Sequence, residues 1–328
     1  MKYDIFGMGN ALVDLVYEVS DEFLNQNKVE KGVMSLVEED RQVSLLNLLK
    51  GKETEKACGG SAANTIIAAN HLGSSSFYSC RVANDTLGDF YKTDLESEGI
   101  EHSLKVREAG TTGTCLVMTT PDADRTMNTF LGATSQFNEN NVDWDALKKS
   151  KWLYIEGYLV AAPDAFQACL KAQKFAKENN IKVAFTFSDP GIVTAFRSQM
   201  EELVSNGLDL VFANEDEARA FTDEETIDEA CFKLKEQVKA FAITLGRKGC
   251  LVYDGANHFI QEGRIVEAID TNGAGDMFAG SFLHQLIRTD DYRLAAQWGV
   301  RFSSQIVQKY GPRLDKRVME EIKKDLQD

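Results

Sequence analysis

The stretch DTNGAGDMFAG, residues 270–280, contains more small residues than a turn or a helix needs. Each glycine inside a helix costs roughly 1 kcal/mol relative to alanine, and a simple turn needs fewer small residues than GAG at 273–275. The sequence before it, RIVEAID (264–270), predicts a strand, and DMFAGSFLHQLI (276–287) predicts a helix. A strand, a glycine-rich turn and a helix N-terminus direct several N–H groups and the positive end of the helix dipole to one point. We therefore expect this stretch to bind a phosphate.

Asp276, preceded by the small residues Gly273, Ala274 and Gly275, is the candidate catalytic group of the stretch. A carboxylate beside a transferring phosphoryl group can accept the proton of an attacking hydroxyl. Its reference pKa of about 3.9 makes it a weak base, which suffices because a loose transition state needs little early deprotonation. The amides of the three small residues would stabilise charge on the transferring group. The alternative is that Asp276 only caps the helix after a glycine turn.

The composition argues against several classes of partner. The 328 residues carry a formal net charge of −15, whereas nonspecific nucleic-acid binding needs basic surfaces. No apolar run reaches the roughly 18 residues of a membrane-spanning helix. The six cysteines, at positions 58, 80, 115, 169, 231 and 250, show no CxxC or zinc spacing, and MKYDIFGMGN at the start has no secretion signal. We expect reduced thiols and a cytoplasmic protein rather than a disulfide framework.

Strand and helix patterns alternate along most of the sequence. After the middle of the chain the order is regular, with strand-like KWLYIEGYL (151–159), IKVAFTF (181–187) and LDLVFANE (208–215) each followed by helical sequence. Strands separated by helices of this length predict βαβ units. We therefore expect an α/β fold with a mainly parallel central sheet and helices on both faces.

Two segments interrupt this order with strand and turn patterns and little helix. They cover residues 13–37 and 101–130, and in the second a hairpin is predicted to turn at Pro121–Asp124. We interpret them as a small β lid. Residues 1–12, 38–100 and 131–328 would then form one main domain that binds nucleotide and substrate.

Neither of two common nucleotide-binding motifs accounts for the glycines. GMGNAL (7–12) follows a strand as a dinucleotide fingerprint would, but the third glycine is missing and β-like sequence follows. The sequence contains no GxxxxGK[ST], which excludes a P-loop NTPase.

The stretch DTNGAGD resembles the signature of the PfkB carbohydrate kinases, which are ribokinase-like sugar and nucleoside kinases. Further motifs match that family in its order and extend the resemblance over almost the whole chain. They are GNALVD (9–14), CGGSAANT (58–65), NEDE (214–217) and TLGRKG (244–249). GMGNALVD, RTMNTFLGA and YIEGYL look more like the adenosine-kinase-type members, especially bacterial ones, than like ribokinases. The resemblance implies a ribokinase-like fold and a kinase that uses ATP and Mg²⁺.

The resemblance also implies a role for individual residues. Those implied for the sugar hydroxyls are Asn10, Asp14, Gly59, Gly60 and Asn64, and those for ATP are Asn214, Glu217, Thr244, Gly246 and Gly249. Glu217 would bind Mg²⁺ through water, and Arg125 of the lid would approach the transferred phosphate. Asp270 and Thr271 would lie near an activating K⁺.

Each assignment has an ordinary structural alternative. The two glycines of CGGSAANT can form the turn before a helix, and NEDE fits a helix-capping box. The glycines of TLGRKG fit a hairpin, and Arg125 can be a surface cation of the lid.

We expect a kinase that transfers the γ-phosphate of ATP to a primary hydroxyl of a ribosyl compound. The preferred candidate substrate is adenosine or a related nucleoside. A free ribose-like or fructose-like sugar is the alternative substrate. A purine base needs apolar walls, and the lid offers Met34, Leu36, Met127 and Phe130, which can instead pack the lid against the body. A homologue that binds ligand without turnover is disfavoured by the intact Asp276 and NxxE motif. The protein would act as a monomer or as a homodimer formed through its lid.

Overall fold

The computed structural model describes residues 1–104, 106–122 and 124–327. In chain order the strands are β1 (Tyr3–Met8), β2 (Leu12–Glu18), β3 (Met34–Leu36), β4 (Glu53–Gly59), β5 (Ser76–Ser79), β6 (Glu101–His102), β7 (Thr112–Thr119), β8 (Arg125–Gly132), β9 (Ser150–Glu156), β10 (Lys182–Thr186), β11 (Leu210–Asn214), β12 (Phe241–Thr244), β13 (Gly249–Tyr253) and β14 (His258–Glu262). The helices are α1 (Asp21–Gln26), α2 (Glu39–Leu49), α3 (Ser61–His71), α4 (Thr86–Ser97), α5 (Trp144–Lys148), α6 (Pro163–Glu178), α7 (Pro190–Ala195), α8 (Arg197–Ser205), α9 (Glu215–Thr222), α10 (Ile227–Leu234), α11 (Ala274–Thr289), α12 (Tyr292–Ile306) and α13 (Lys316–Gln327).

The main sheet has the strand order β14-β13-β12-β11-β10-β9-β1-β5-β6. The pairs from β6 to β12 are parallel, and only the β12–β13 and β13–β14 pairs are antiparallel within the described residues. Neighbouring residues of β1 point to opposite faces, since Ile5 belongs to one buried apolar cluster and Phe6 to another. A sheet covered on both faces needs strands that are mainly apolar, as YDIFGM is apart from Asp4 near its start. The predicted α/β class with a mainly parallel sheet is confirmed.

A second sheet has the order β3-β8-β7-β2-β4. Strands β7 and β8 form the predicted hairpin, with Thr114 opposite Phe130; the predicted turn at Pro121–Asp124 includes residue 123, which lies outside the described residues. The segments predicted to form the lid supply β2, β3, β7 and β8. The second sheet differs from the predicted lid in two strands. Strand β4 was expected in the main domain but pairs with β2 of this sheet, and β6 was expected in the lid but pairs with β5 of the main sheet. Strand β4 pairs along almost all of β2, a long-range pairing that no local pattern encodes.

The predicted strand at 264–270 is wrong. These residues run without a sheet partner after β14, and the Ile265 side chain is fully exposed. Strand β14 is the edge of the main sheet, and the segment that follows it leaves the sheet rather than pairing along that edge. Ile269 instead donates its N–H to the carbonyl of Val307, which ties this segment to the end of α12.

The candidate site lies where β1, β9, β11 and β12 end and where α3 and α11 begin. The carboxyl ends of parallel strands meet at one edge of a sheet, so residues that are distant in sequence come together there. Helix α11 packs against α3, and a Cβ on Gly280 would lie 2.4 Å from the Thr65 carbonyl oxygen, so glycine permits this close approach. In the described part of the chain, no helix combines the length and apolar character needed to cross a membrane.

Candidate active site

Helix α11 begins two residues before the predicted start. Gly273 is its N-cap, with a φ of 74°, and Ala274 is its first residue, so Asp276 lies in the first turn rather than at the cap. A Cβ on Gly273 would also lie 2.5 Å from the carbonyl oxygen of Pro312, so both the backbone angle and the packing require glycine here. This contact brings the segment YGPR (310–313) against the start of the helix.

The first turn of α11 presents free backbone N–H groups. The amide of Ala274 donates to the carbonyl of Thr271 at 3.2 Å, whereas the amides of Gly275 and Asp276 have no acceptor within the helix. A Cβ on Gly275 would meet no atom within 4 Å, so the space beside this turn is open. We call the amides of Gly275 and Asp276 the anion cradle. A helix of 16 residues adds the positive end of its dipole to this position.

The carboxylate of Asp276 is held by the first turn of α3. Ser61 Oγ donates to Asp276 Oδ1 at 2.6 Å, and Asn64 Nδ2 donates to Oδ2 at 3.1 Å. Ser61 and Asn64 can share this partner because residues three apart lie on one face of a helix. Burial raises the pKa of Asp276 to about 6, while these two hydrogen bonds oppose the shift. The group is therefore a stronger base than an exposed aspartate.

The two glycines of CGGSAANT are both required by atoms that lie against them. A Cβ on Gly59 would stand 2.7 Å from Asp14 Oδ1, and a Cβ on Gly60 would stand 2.4 Å from the backbone oxygen of Asn10. Gly60 is the N-cap of α3 with a φ of 105°, so the predicted turn before a helix is also present. Burial raises the pKa of Asp14 to about 7, and the positive charges of Arg313 and Arg125 act against this rise.

Glu156 is a buried carboxylate of this region that the sequence analysis missed. It ends β9, is 1% exposed, and accepts N–H bonds from Asn10 at 3.2 Å and from Ala62 at 2.8 Å. It thereby fixes the end of β1 to the start of α3. Asn10, predicted to contact substrate, is itself buried, and its Oδ1 accepts a hydrogen bond from Thr134 at 3.1 Å. The signal available in the sequence was an acidic residue directly after the buried strand KWLYI.

Glu156 makes stability dependent on pH in a predictable direction. Burial raises its pKa to about 7, above the value of 4.5 for an exposed glutamate, so its stabilising contribution is complete below 4.5 and is lost as the pH rises through 7. We expect the destabilisation caused by Glu156→Gln to shrink by about 3 kcal/mol between pH 4.5 and 8. Urea unfolding of both proteins across that pH range measures the difference in the free energy of unfolding. Glu321→Gln is the control, since Glu321 is exposed. A difference that stays constant with pH would contradict the assignment of a protonated Glu156.

Asn214 and Glu217 form a helix-capping box at the start of α9. Asn214 Oδ1 accepts from the Glu217 amide at 2.8 Å, and the Asn214 amide and Nδ2 donate to the two carboxylate oxygens at 3.0 and 2.7 Å. The predicted capping is thus confirmed, and metal binding through water is compatible with it. Burial raises the pKa of Glu217 to about 7, and the nearby carboxylates Asp189, Asp216 and Asp276 reinforce this rise, so a cation close by would be strongly favoured.

The TLGRKG segment joins β12 to β13 as an antiparallel hairpin, which confirms the predicted structural alternative. Thr244 ends β12 and lies opposite Cys250. A Cβ on Gly249 would lie 2.0 Å from the carbonyl oxygen of Gln261, so this glycine is required by the hairpin itself. Gly246, with a φ of 56°, has no atom within 4 Å of a Cβ position and borders open space.

Arg125 and Asp270, predicted to serve a phosphate and a K⁺ respectively, are paired with each other. Arg125 Nη1 lies 2.9 Å from Asp270 Oδ2, which also accepts the amide of Gly311 at 2.9 Å. The guanidinium lies over the ring of Tyr310 at 5.6 Å. Thr271 is exposed beside this pair. The second sheet is therefore fastened to the main body at the edge of the site.

Comparison with known proteins gives consistent matches along the chain. The family model described as pfkB family carbohydrate kinase matches residues 33–318. The structure of adenosine kinase from Sinorhizobium meliloti is 32% identical, with a TM-score of 0.90, and the match covers 99% of this chain and 100% of that one. A probable sugar kinase from Rhizobium etli CFN 42 is 30% identical with the same TM-score, covering 99% and 98% of the two chains. Adenosine kinase from Saccharomyces cerevisiae is 28% identical over 93% of this chain and 95% of its own length.

Proposed function

This chain belongs to the pfkB family of carbohydrate kinases, and we propose that it phosphorylates a primary hydroxyl of a ribosyl compound, with adenosine as the first candidate. The observation that carries the proposal is the position of Asp276. Its carboxylate lies in the helix turn that forms the anion cradle and is held by Ser61 and Asn64 of the segment implied to bind a sugar. A base between a phosphate site and a hydroxyl site suits phosphoryl transfer.

The residues present fit Mg²⁺ and ATP, which pfkB kinases use as metal ion and phosphoryl donor. The anion cradle is open at Gly275, and the turn at Gly246 borders open space. Glu217 is an acidic group near enough to Asp276 for the two charges to interact. Glu217 would hold Mg²⁺ through water, and the bound metal would supply neutralising charge at the phosphates. Asn214 and Thr244, at the ends of neighbouring strands β11 and β12, would border the phosphates.

The chain's own residues perform the remaining steps. Asp14, Gly59, Gly60 and Asn64 would orient the ribosyl hydroxyls, and Asp276 would accept the proton of the primary hydroxyl. The anion cradle would stabilise charge on the transferring group. The second sheet would close over the site and exclude water that would otherwise hydrolyse ATP.

A nucleoside is favoured over a free sugar by two observations. Relatives named as adenosine kinases match along nearly the full chain. Met34 and Leu36 of β3 are exposed apolar side chains, and Met34 pairs with Met127 of β8, so the second sheet offers an apolar surface to a base. The name of the Rhizobium etli relative favours a sugar, which keeps a free-sugar kinase as the second candidate.

The test is ADP release coupled to a detectable reaction, with Mg·ATP and a panel of adenosine, other nucleosides, ribose and fructose. We expect the highest kcat/KM with adenosine. Turnover only with ribose or fructose would retain the mechanism and replace the substrate. No turnover with any acceptor would contradict the kinase proposal for this panel.

Activation by K⁺ is a separate proposal with its own test. Asp270 and Thr271 would lie near the ion, and Arg125 would have to release Asp270 for the carboxylate to contact it. The test compares rates in potassium and in tetramethylammonium salts of equal ionic strength. We expect higher rates in potassium, and equal rates would exclude activation by K⁺.

The anion cradle can be tested by Gly275→Ala. The Cβ of a helical residue points toward the helix N-terminus, so the new methyl group would enter the space of the bound phosphate. We expect kcat/KM for Mg·ATP to fall by about 10- to 100-fold. Thermal stability should hold or rise, since alanine is favoured over glycine in a helix by about 1 kcal/mol. Unchanged kinetics would show that the phosphate does not lie beside this turn.

A further inference from the structure

Arg313 lies at the centre of a partly buried hydrogen-bond chain that reaches the candidate base. Its Nε donates to Asn64 Oδ1 at 2.9 Å, and its Nη1 donates to Asp94 Oδ2 at 2.8 Å. The side chain of Arg313 is 17% exposed and that of Asp94 is 23% exposed, so water screens this ion pair only weakly. Arg313 thus joins α4 to the first turn of α3.

The contact with Arg313 determines which way the Asn64 amide faces. An asparagine side chain has one acceptor oxygen and one donor nitrogen. With its oxygen bound to Arg313, its nitrogen is directed at Asp276 Oδ2, 3.1 Å away. Among the described residues these are the two side-chain hydrogen bonds of the Asn64 amide, and Asn64 is 6% exposed. Without Arg313 the amide would lose one of the two partners that distinguish its ends, and only Asp276 would remain to orient it.

The segment that carries Arg313 is itself attached to the site. The amide of Gly311 donates to Asp270 at 2.9 Å, and Pro312 packs against Gly273 at the start of α11. The charge of Arg313 also opposes the effect of burial at two carboxylates, because it lowers the pKa of both Asp14 and Asp276. The same side chain therefore faces the implied sugar site and the base.

We propose that Arg313 is a positioning residue for phosphoryl transfer, anchored by Asp94, that orients the Asn64 amide so that its nitrogen donates to Asp276. This inference rests on the proposed kinase function. It makes the C-terminal segment YGPR (310–313) part of the catalytic unit, although Arg313 itself acts through Asn64. A positioning role predicts that the effects of Arg313 and Asn64 are coupled rather than independent.

A double-mutant cycle tests this coupling with Arg313→Met, Asn64→Ala and the double variant. We expect Arg313→Met to lower kcat by about 10- to 100-fold, and the double variant to be within about 3-fold of Asn64→Ala alone. Arg317→Met is the matched control, since Arg317 is an exposed arginine four residues further on, and its kcat should stay within about 2-fold. If the fold-loss of kcat in the double variant equals the product of the fold-losses in the two single variants, the proposal is overturned. Thermal unfolding of each variant identifies any loss that arises from misfolding.

Two milder variants separate orientation from charge. Arg313→Lys keeps the charge but replaces two directed N–H donors by one ammonium group, which cannot bind Asn64 and Asp94 in the same geometry. We expect kcat to stay low in Arg313→Lys, while the acid limb of its kcat–pH profile stays near that of the wild type because the positive charge is kept. Arg313→Met removes this charge, which in the wild type lowers the pKa of Asp276, so its acid limb should shift to higher pH. Full recovery of kcat by lysine would overturn the positioning role. Asp94→Asn should give an intermediate loss, and wild-type kcat in that variant would remove Asp94 as the anchor.

A measurement without turnover keeps this inference distinct from the proposed function. In protein labelled with ¹⁵N-asparagine, the Asn64 side-chain resonance can be assigned from its loss in Asn64→Ala. We expect its amide protons to exchange slowly in the wild type and at least about 10-fold faster in Arg313→Met, because the ordered hydrogen bond to Asp276 is lost. Equal exchange rates would overturn the proposal even if the enzyme is a kinase. Faster exchange would support it even if no acceptor in the panel is phosphorylated.

Discussion

Asp276→Asn is expected to lower kcat by at least about 10³-fold while Mg·ATP still binds. Asparagine has nearly the same shape, and its oxygen can still accept the hydrogen bond from Ser61, although its nitrogen would face the Asn64 nitrogen and that hydrogen bond would be lost. An amide cannot accept the proton of the attacking hydroxyl. The fold should be retained, because the substitution removes a buried carboxyl group whose ionised form burial disfavours. Steady-state kinetics with the preferred acceptor, together with nucleotide binding by calorimetry, measure both effects.

The pH dependence of kcat in the wild type and in Asp276→Asn supplies an independent check. The base acts when deprotonated, and its pKa is about 6, so the wild-type kcat should fall about tenfold per pH unit below that value. The residual rate of Asp276→Asn should lack this limb. Asp290→Asn is the matched control, since Asp290 is an exposed aspartate at the other end of α11. Near-normal turnover of Asp276→Asn would remove Asp276 from the role of base.

Gly60→Ala is expected to have the largest effect on stability. Gly60 has a φ of 105°, where side chains other than glycine are strained, and a Cβ would lie 2.4 Å from the backbone oxygen of Asn10. That oxygen cannot move freely, because it accepts a hydrogen bond from Tyr78 at 2.8 Å in the core. We expect a loss of about 3 kcal/mol or more in the free energy of unfolding. Activity should fall as well, since Ser61 and Asn64 directly follow this residue.

The matched control for Gly60→Ala is Gly51→Ala. Gly51 also has a positive φ, 77°, but a Cβ there would meet no atom within 4 Å. It therefore carries the backbone strain without the clash, and we expect a loss of about 1 kcal/mol. Urea unfolding of both variants isolates the contribution of the contact with Asn10. Equal losses would show that this contact does not constrain the turn.

Local sequence patterns predicted the elements of the main sheet because both faces of that sheet are covered. Strands such as YDIFGM are mainly apolar, and the helices between them carry their own start and stop signals. The same patterns gave a wrong strand at 264–270, where the apolar residues meet no neighbouring strand. They placed the start of α11 at Asp276 because Gly275 is a poor helix former, whereas the helix begins directly after the left-handed Gly273, its N-cap.

Local sequence patterns were enough to predict the fold class and the positions of the motifs. The small-residue turn before α11 and the NxxE capping box depend on conformation within a few residues, so a short window of sequence contains them. The set of side chains that meet around Asp276 depends instead on the tertiary structure. Arg313 and Asn64 are 249 residues apart, Glu156 and Asn10 are 146 apart, and Arg125 of the second sheet pairs with Asp270 of the main body. Such contacts arise from how the helices and sheets pack, and the free energy of that packing is a property of the whole chain rather than of any segment.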